Sequence, residues 1–410
     1  MKIYCISDQT SRAGIYGVGT YVRSLGVCAA SCGYSFSIVH LVSDLIDPYF
    51  ETDDEGVIHY FLPGIEEKTE TSIYFKGIVY TLRDLVEDDG ERALFHLNAH
   101  LQHQMIGELR HLFPNCLILY SIHYFNWIFS LSGSTNYLKE ILFKDIRVWG
   151  TLSAKCIRND FHQEQMLFQE VDRVLCLSRF AYDVVTDIAG IDAKQLSLVY
   201  NGLKDERKVC SNEELLNIRK KYSLDLSEKI ILSAGRLDQV KGVVHIIKAY
   251  KELKKEYPDC HLVMVGEGDF SYYLEVAEET CGSILFTGRL EQAKLYELYA
   301  LADVGVMQSF HEQCSYVGIE MMMHGLPIIG TNSSGLDEMI IEGETGLKLP
   351  VIEQNYQADV DIYLLKDKLR CVLENEEMRA SMSRKARERY ENVYSEKVME
   401  RAMRTVYESL

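Results

Sequence analysis

Basic residues are scarce in this chain, and long apolar runs are missing. Lys and Arg number 43 against 61 Asp and Glu, which gives the 410 residues a formal charge of −18. Binding to nucleic-acid phosphates requires clustered Lys and Arg, so this balance argues against a nucleic-acid-binding protein. The longest apolar runs are shorter than the roughly 18 to 20 residues of a transmembrane helix, so no membrane span is expected.

The N-terminal sequence also lacks the apolar region of a signal peptide, because MKIYCIS leads directly into a predicted strand. No low-complexity tract indicates disorder. The eleven cysteines are scattered, and Cys28 and Cys32 have the spacing of one helix face rather than that of a C-x2-C metal site. These features predict a globular cytoplasmic protein with free thiols. Peripheral association with the inner face of a membrane stays an open alternative.

Short apolar runs alternate with longer amphipathic segments, which predicts strand-helix-strand units on parallel sheets. The predicted strands are KIYCIS, FSIVHL, ALFHL, CLILYSIHY, RVLCLS and LSLVYN in the first half, and KIILSAGRL, HLVMVGEG, SILFTGRL, VGVMQS and LPIIGTN in the second. The polar segment 203–217 lacks a strand pattern and is predicted to be a hinge. We therefore expect an α/β protein with two Rossmann-like doubly wound domains, residues 1–202 and 203–392, facing a central cleft. A C-terminal helix, 393–410, could cross back to the first domain.

Two cations follow the predicted strand KIILSAGRL. The strand ends at Gly235 and Arg236, and the next loop carries Lys241 and Gly242 before a helix begins. A planar guanidinium and a point charge beside a helix N-terminus suit the binding of a diphosphate. The alternative is a pair of solvated surface cations.

Two glutamates, Glu312 and Glu320, stand eight positions apart in HEQCSYVGIE. The apolar spacing between them predicts a helix that begins near Ser315 and ends before Gly325. The free amides of such a helix start favour an anion. In a chain with 61 acidic residues, this spacing alone is a weak motif.

Glycines also cluster near the N-terminus. Gly14, Gly17 and Gly19 in AGIYGVGTY predict a loop ahead of a helix that lets the backbone approach a phosphate. A dinucleotide-binding fingerprint fits poorly, because no third glycine follows at the required spacing and the loop from Ile6 is too long.

An ordered set of motifs in the second half resembles the nucleotide-sugar domain of the family 4 retaining glycosyltransferases. Across residues 229–350 these are GRLDQVKG, MVGEGD, TGRLEQAKLYELYALADVGVMQSFHEQCSYVGIEMMMHGLPIIGTNSSGLDEMI and EGETGL. In the first half CLSRFAYDVV, VYNGLKD and GIYGVGTYVRSLG are also similar to that family, whereas 45–110 and 126–170 show little resemblance. The resemblance implies the GT-B fold and a metal-independent transfer from a nucleoside-diphosphate sugar, with no cofactor.

The resemblance also implies roles for individual residues. Glu320 is expected to bind the ribose hydroxyls and Glu312 to face the transferred sugar, while Arg236 and Lys241 share the diphosphate with the helix N-terminus. The other donor-binding positions that it implies are Gly17, Gly19, Gly288, Arg289, Leu290, Ser315, Tyr316 and Val317.

A histidine follows a predicted strand of the first half, in LYSIHYF. A lone histidine near aromatics is more often structural, but the resemblance gives His123 a contact with the donor sugar near its reacting carbon. His96 and His100 are weaker candidates for the acceptor side. Residues 124–127, YFNW, could line an apolar or sugar-stacking site, or belong to the core.

Some features leave the substrates open. Gln313, Cys314 and Ser315 follow Glu312 where the family often has glycine and an aromatic, so the donor sugar stays undetermined. The triplet from Asp359 to Asp361 is expected to cap a helix rather than bind a metal. The acceptor could be a glycan, a lipid-linked sugar, a small molecule or a peptide. A nucleotide-sugar epimerase or hydrolysing relative, and a noncatalytic nucleotide-sugar-binding protein, are the alternative functions.

Overall fold

The computed structural model describes most of the chain and divides it into two compact units. The described residues are 1–7, 17–43, 47–64, 71–86, 90–131, 133–144, 152–225, 228–354 and 356–410. Unit 1 comprises residues 1–127, 145–202 and 396–410, and unit 2 comprises 128–144 and 203–395.

Unit 1 is built on an eight-stranded sheet. Its strands are β1 (Lys2–Ser7), β2 (Ser35–Ser43), β3 (Tyr49–Thr52), β4 (Ile58–Pro63), β5 (Ala93–Leu97), β6 (Leu117–Ile122), β7 (Arg173–Cys176) and β8 (Leu196–Leu198). They lie in the order β3-β4-β2-β1-β5-β6-β7-β8, and every pair is parallel except β3 with β4. All six residues of β6 are buried, as expected for a parallel strand covered on both faces.

Helices surround this sheet. The α-helices of unit 1 are Gly17–Ser31, Thr71–Leu85, Ile106–Leu112, Leu152–Glu170, Arg179–Asp183 and Glu396–Glu408. Helix Glu396–Glu408 packs against helix Gly17–Ser31, and its buried residues are Met399, Met403, Val406 and Tyr407. Their spacing of three and four places them on one face of the helix, which explains why this charged segment folds onto the unit.

Unit 2 contains a six-stranded, fully parallel sheet and a small hairpin. The sheet strands are β9 (Lys229–Ala234), β10 (Cys260–Val265), β11 (Ile284–Gly288), β12 (Val304–Met307), β13 (Ile328–Thr331) and β14 (Gly346–Leu349), in the order β11-β10-β9-β12-β13-β14. β15 (Val351–Gln354) and β16 (Gln357–Val360) pair antiparallel.

The helices of unit 2 enclose its core. They are Thr135–Phe143, Asn212–Lys221, Val243–Glu256, Phe270–Ala277, Gln292–Leu301, Tyr316–Met323, Ser334–Met339, Ile362–Glu374 and Glu376–Arg389. In helix Val243–Glu256, the buried side chains of Val243, Ile246, Tyr250 and Leu253 follow helical periodicity and join the core. The loop before this helix contacts the segment that follows β12, because the Phe310 N–H donates to Val240 O at 2.9 Å.

The predicted α/β class with two doubly wound parallel sheets is confirmed. Residues 128–144, grouped with the first domain by sequence, instead cluster with unit 2, whereas residues 396–410 cluster with unit 1, to which the C-terminal helix was expected to cross back. The segment predicted as a hinge is partly helical, because Ser211 and Glu214 form a capping box that starts helix Asn212–Lys221.

All eleven cysteines are free thiols. Among the residues that the structure describes, no helix combines the length and the apolar character needed to cross a bilayer.

Candidate active site

The carboxyl ends of β9 and β10 approach each other closely in unit 2. Gly235 has a φ of 123° and its N–H donates to Val265 O at 2.9 Å. At Gly266, with φ of 148°, an added Cβ would lie 1.7 Å from Gly235 O. Glycine is therefore required at Gly266 for steric reasons as well as for its backbone conformation. This packing brings Arg236 out at the strand end, where its side chain is 60% exposed and lies 3.4 Å from Asp238.

The loop after β9 positions Lys241. Its N–H donates to Asp238 Oδ1 at 3.0 Å, and the next residue, Gly242, has a φ of 62° with Gln308 O only 2.3 Å from the place of a Cβ. The lysine ammonium forms an ion pair with Glu312. The two residues are mostly buried, with side chains 24% and 12% exposed, so solvent screens this pair less than a surface pair.

Glu312 is held on both its side chain and its backbone. Ser309 Oγ donates to Glu312 Oε1 at 2.9 Å, the oxygen that also pairs with Lys241. The N–H of Glu312 donates to Ser334 Oγ at 2.9 Å. These contacts fix the carboxylate beside a cation, at the carboxyl end of β12.

Helix Tyr316–Met323 starts next to Glu312, as the sequence predicts. Ser315 is its N-cap residue, in extended conformation, and its side chain makes no capping hydrogen bond. The first amides of a helix have no intrahelical acceptor and attract an anion. The adjacent Gln313 and Cys314 are buried.

One pocket of unit 2 joins several of the predicted donor-site residues. Arg236, Lys241, Glu312, Ser315 and Val317 all line it. Its other lining residues are Ser233, Ala234, Gly235, Leu237, Val243, Val306, Met307 and Ser309. The structure thus brings together two cations, one carboxylate and a helix N-terminus that are far apart in the sequence.

Glu320 lies on the same helix but is not among the described residues lining this pocket. Tyr299 donates its hydroxyl to Glu320 Oε2 at 3.0 Å. Burial raises the pKa of Glu320 to about 7, and the Tyr299 hydrogen bond opposes this rise. No motif in the sequence pointed to Tyr299, which lies on the neighbouring helix Gln292–Leu301.

The TGRLEQ segment, residues 287–292, begins with the last two residues of β11. Gly288 has a φ of 68° and its carbonyl accepts the Gly266 N–H at 3.0 Å. Arg289 is exposed and Leu290 is half-buried. Tyr316, in the first turn of its helix, is half-buried as well. These positions are also outside the described lining of the pocket.

A buried polar cluster lies at the strand ends of unit 1. His123 follows β6, and its Nε2 lies 3.1 Å from Asn98 Oδ1. Tyr21 packs edge-on against the His123 ring at 4.8 Å. His96 Nε2 and Tyr21 OH each lie 2.7 Å from Ser121 Oγ. Burial lowers the pKa of His123 to about 4 and that of His96 to about 3.

Asn98 is a member of this cluster that the sequence analysis missed. It comes directly after β5, so its place at a strand end was a usable signal. His100 begins a 3₁₀ turn, His100–Met105.

In unit 1 the structure contradicts the prediction of a glycine loop and decides between the two alternatives for part of the YFNW segment. Gly17 and Gly19 lie within the described helix Gly17–Ser31 rather than in a loop ahead of it. Gly14 lies outside the described residues. Phe125 and Trp127 are 1% and 0% exposed and belong to the core.

The rest of the YFNW segment is less enclosed. Tyr124 is exposed and Asn126 is half-buried. The N–H of Asn126 donates to Glu164 Oε1 at 2.6 Å.

The acidic triplet near the C-terminus is accounted for by local contacts. Asp361 accepts from the Tyr363 and Leu364 amides as an N-cap, and Asp359 pairs with His245 at 2.8 Å. Within the described ranges, no three His, Cys, Asp or Glu side chains are grouped to hold a metal ion.

Comparison with known proteins finds similarity to glycosyltransferases in the second half of the chain. Residues 216–389 match the model of a family described as "Glycosyl transferases group 1". The chain is 32% identical over 221 residues to N-acetyl-alpha-D-glucosaminyl L-malate synthase of Bacillus anthracis, across 53% of this chain and 55% of that protein. It is 25% identical to glycogen synthase of Mycobacterium tuberculosis, across 99% of this chain and 94% of the relative. The first alignment therefore spans little more than half of the relative.

Solved structures share the whole fold. Sucrose-phosphate synthase from Thermosynechococcus elongatus superposes with a TM-score of 0.77 at 20% identity, over 99% of this chain and 98% of that one. HepE of Anabaena, in complex with UDP and glucose, gives 0.72 at 14% identity over 100% of both chains. These similarities confirm the resemblance read from the sequence. The chain has the two-domain GT-B fold, and its residues 216–389 match the model of the glycosyl transferases group 1 family.

Proposed function

We propose that the protein is a retaining glycosyltransferase that moves a sugar from a nucleoside diphosphate to an acceptor hydroxyl. The observation that carries this proposal is the pocket in which Arg236, Lys241, Glu312 and Ser315 meet. A diphosphate requires concentrated positive charge, and a guanidinium, an ammonium and a helix N-terminus provide it here.

These groups act on the leaving group. When the bond between the anomeric carbon and the phosphate oxygen breaks, the nucleoside diphosphate takes the electron pair and gains negative charge. Arg236 and Lys241 are placed to stabilise that charge as it develops, which lowers the barrier. We therefore propose that the protein needs no metal ion for this step.

The acceptor completes the reaction on the same face of the sugar. Its hydroxyl oxygen forms the new bond to the anomeric carbon, and its proton passes to the departing phosphate oxygen. This front-side course retains the anomeric configuration. Glu312 is proposed to face the transferred sugar, because its carboxylate is fixed in the pocket by Lys241 and Ser309.

The remaining roles follow from the family resemblance. Glu320 is proposed to bind the ribose hydroxyls, and Gly288, Arg289 and Leu290 the nucleobase. Tyr316 and Val317 contribute helix-start amides to the diphosphate, and Gly17 and Gly19 contribute backbone amides. His123 is our candidate for contact with the sugar.

Unit 1 is proposed to bind the acceptor. Four acceptor classes are compatible with its residues: a glycan, a lipid-linked sugar, a small molecule and a peptide. UDP is the first nucleotide to test, because HepE was solved with UDP. We propose a cytoplasmic location. Attachment to the inner face of a membrane would follow if the acceptor is a lipid-linked sugar.

The test is a thermal-shift titration with UDP, GDP and ADP on the wild type, on Arg236→Ala and on Lys229→Ala. Lys229 lies at the opposite end of β9, where it pairs with Asp303 at 3.1 Å, so it controls for loss of a cation in the same unit. Ligands that bind only the folded state raise the melting temperature. We expect one nucleotide to stabilise the wild type and Lys229→Ala, and Arg236→Ala much less.

Product analysis then tests the reaction. With the nucleotide sugar that binds and an acceptor panel, NMR of the product should show the anomeric configuration of the donor. The absence of any nucleotide-induced shift up to millimolar concentrations would overturn the proposed donor site. An altered nucleotide sugar formed without acceptor would indicate an epimerase instead.

A further inference from the structure

Ser334 has an unusual backbone conformation. Its φ is 39°, in the left-handed region that favours glycine. It begins helix Ser334–Met339, directly before Gly335. A glycine at 334 would adopt the same conformation without the penalty of a Cβ. The presence of serine therefore calls for a function of its hydroxyl.

That hydroxyl makes both of its hydrogen bonds to one residue. Ser334 Oγ accepts from the N–H of Glu312 at 2.9 Å and donates to the carbonyl of Glu312 at 2.7 Å. The same carbonyl also accepts the N–H of Gly335 at 2.8 Å. Hydrogen bonds therefore hold both the N–H and the carbonyl of the Glu312 main chain.

Neighbouring side chains secure the rest of this loop. Ser333 Oγ donates to Ser309 O at 2.6 Å, and Thr331 Oγ1 donates to the same carbonyl. Ser309 Oγ in turn donates to the Glu312 carboxylate. At Gly335, an added Cβ would lie 1.6 Å from Gln313 O. The segment 331–335 therefore packs directly behind the loop that carries Glu312.

We propose that Ser334 is a positioning residue of the donor site, which fixes the Glu312 main chain so that the carboxylate and the amides that follow keep their place in the pocket. This inference rests on the proposed function, in which Glu312 faces the transferred sugar. It explains why the chain accepts a left-handed serine where glycine would be free of strain.

Three substitutions separate the effect of the Ser334 hydroxyl on activity from the effect of its backbone strain on stability. Ser334→Gly relieves the strain and removes the hydroxyl, so we expect an equal or higher melting temperature and kcat/KM lower by about 10-fold to 100-fold, since small displacements at a reacting centre are costly. Ser334→Ala keeps the strained φ and removes the hydroxyl. We expect the same loss of kcat/KM as in Ser334→Gly and a melting temperature below that of Ser334→Gly. Ser334→Thr restores a hydroxyl on a stiffer side chain, so it should recover most of the activity while being less stable.

Ser223 provides a matched control. It is another serine of unit 2 in the left-handed region, with a φ of 56°, and it follows helix Asn212–Lys221. Its N–H donates to Lys220 O at 3.2 Å, a contact that does not require its side chain. Ser223→Gly should gain similar stability and leave kcat/KM unchanged.

Hydrogen exchange gives a readout that does not depend on turnover. In Ser334→Gly the amides of the peptide containing Glu312 should exchange faster, because the hydrogen-bond acceptor of that N–H is gone. Ser223→Gly should leave this peptide unchanged. Wild-type activity and exchange in Ser334→Gly would overturn the inference. If the wild type has no transferase activity and Ser334→Gly still shows the expected faster exchange, the proposed function is overturned instead.

Discussion

The Nε2 atom of His123 lies 3.1 Å from Oδ1 of Asn98. The orientation of the Asn98 amide follows from its other contact, because Nδ2 donates to Ile6 O at 3.1 Å. Asn98 therefore presents an acceptor to the imidazole, and His123 carries its proton on Nε2. Its Nδ1 is left as an acceptor, suited to a hydroxyl donor such as one of a sugar.

This relationship predicts a spectroscopic result for Asn98→Asp. Nitrogen-15 NMR of the wild type should show neutral His123 protonated on Nε2 at neutral pH, since burial lowers its pKa to about 4. A carboxylate at position 98 would favour the charged imidazole and raise that pKa. The signals of the exposed His111 serve as an internal reference. A wild-type His123 protonated on Nδ1 would contradict the assignment.

Donor binding should depend on the protonation of Glu320. Its pKa is raised to about 7 by burial, and the ionised carboxylate is the better acceptor for ribose hydroxyls. We therefore expect the donor KM of the wild type to fall as pH rises through about 7, and that of Glu320→Ala to be higher than wild type.

Two variants test this pH dependence. Glu320→Gln cannot ionise and should abolish it. Tyr299→Phe removes the hydrogen bond that lowers the Glu320 pKa, so the midpoint of the KM profile should move to higher pH. A donor KM that is constant with pH in the wild type would refute the role of the Glu320 charge.

Removal of Arg236 should affect turnover as well as binding. In the proposed mechanism its charge is needed most when the diphosphate departs, so Arg236→Ala is expected to lower kcat by about 10²-fold to 10³-fold, the usual cost of losing one preorganised charge-stabilising group. Steady-state kinetics against Lys229→Ala, which keeps the pocket intact, provides the comparison. An Arg236→Ala enzyme with altered donor KM but normal kcat would limit Arg236 to ground-state binding.

Stability should decrease as the pH rises from about 4.5 to about 8. Glu164 is 3% exposed, and burial raises its pKa to about 8 from an ordinary value of 4.5. The folded state therefore binds more protons than the unfolded state between these values. The resulting stabilisation is complete below the unfolded pKa and is lost as pH rises through about 8, by up to ~1.4 kcal/mol per pH unit.

Urea denaturation between about pH 6 and pH 8 measures this slope. Glu164→Gln should flatten it, because glutamine keeps an acceptor for the Asn126 N–H without titrating. Glu170, exposed at the end of the same helix, gives the control substitution Glu170→Gln. An unchanged slope in Glu164→Gln would assign the pH dependence to other groups.

Local sequence was sufficient for most of the parallel strands and for the helix that follows Glu312. β1 and β5 coincide with KIYCIS and ALFHL, and helix Tyr316–Met323 has the predicted N-cap at Ser315. Buried parallel strands are continuous apolar runs, so they are visible without their partners. The antiparallel hairpins were missed, because β3 is exposed along its whole length and carries no apolar alternation.

The ordered motifs from GRLDQVKG to EGETGL were sufficient for the resemblance to the glycosyltransferases, and the spacing of Glu312 and Glu320 together with that order indicated the candidate donor site. Only the tertiary structure decided which side chains hold those residues in place. Tyr299 and Glu320 are 21 positions apart, Ser334 and Glu312 are 22 apart, and Asn98 and His123 are 25 apart. Each of these pairs joins different elements, and a hydrogen bond of this kind depends on how the elements pack, which no local propensity encodes.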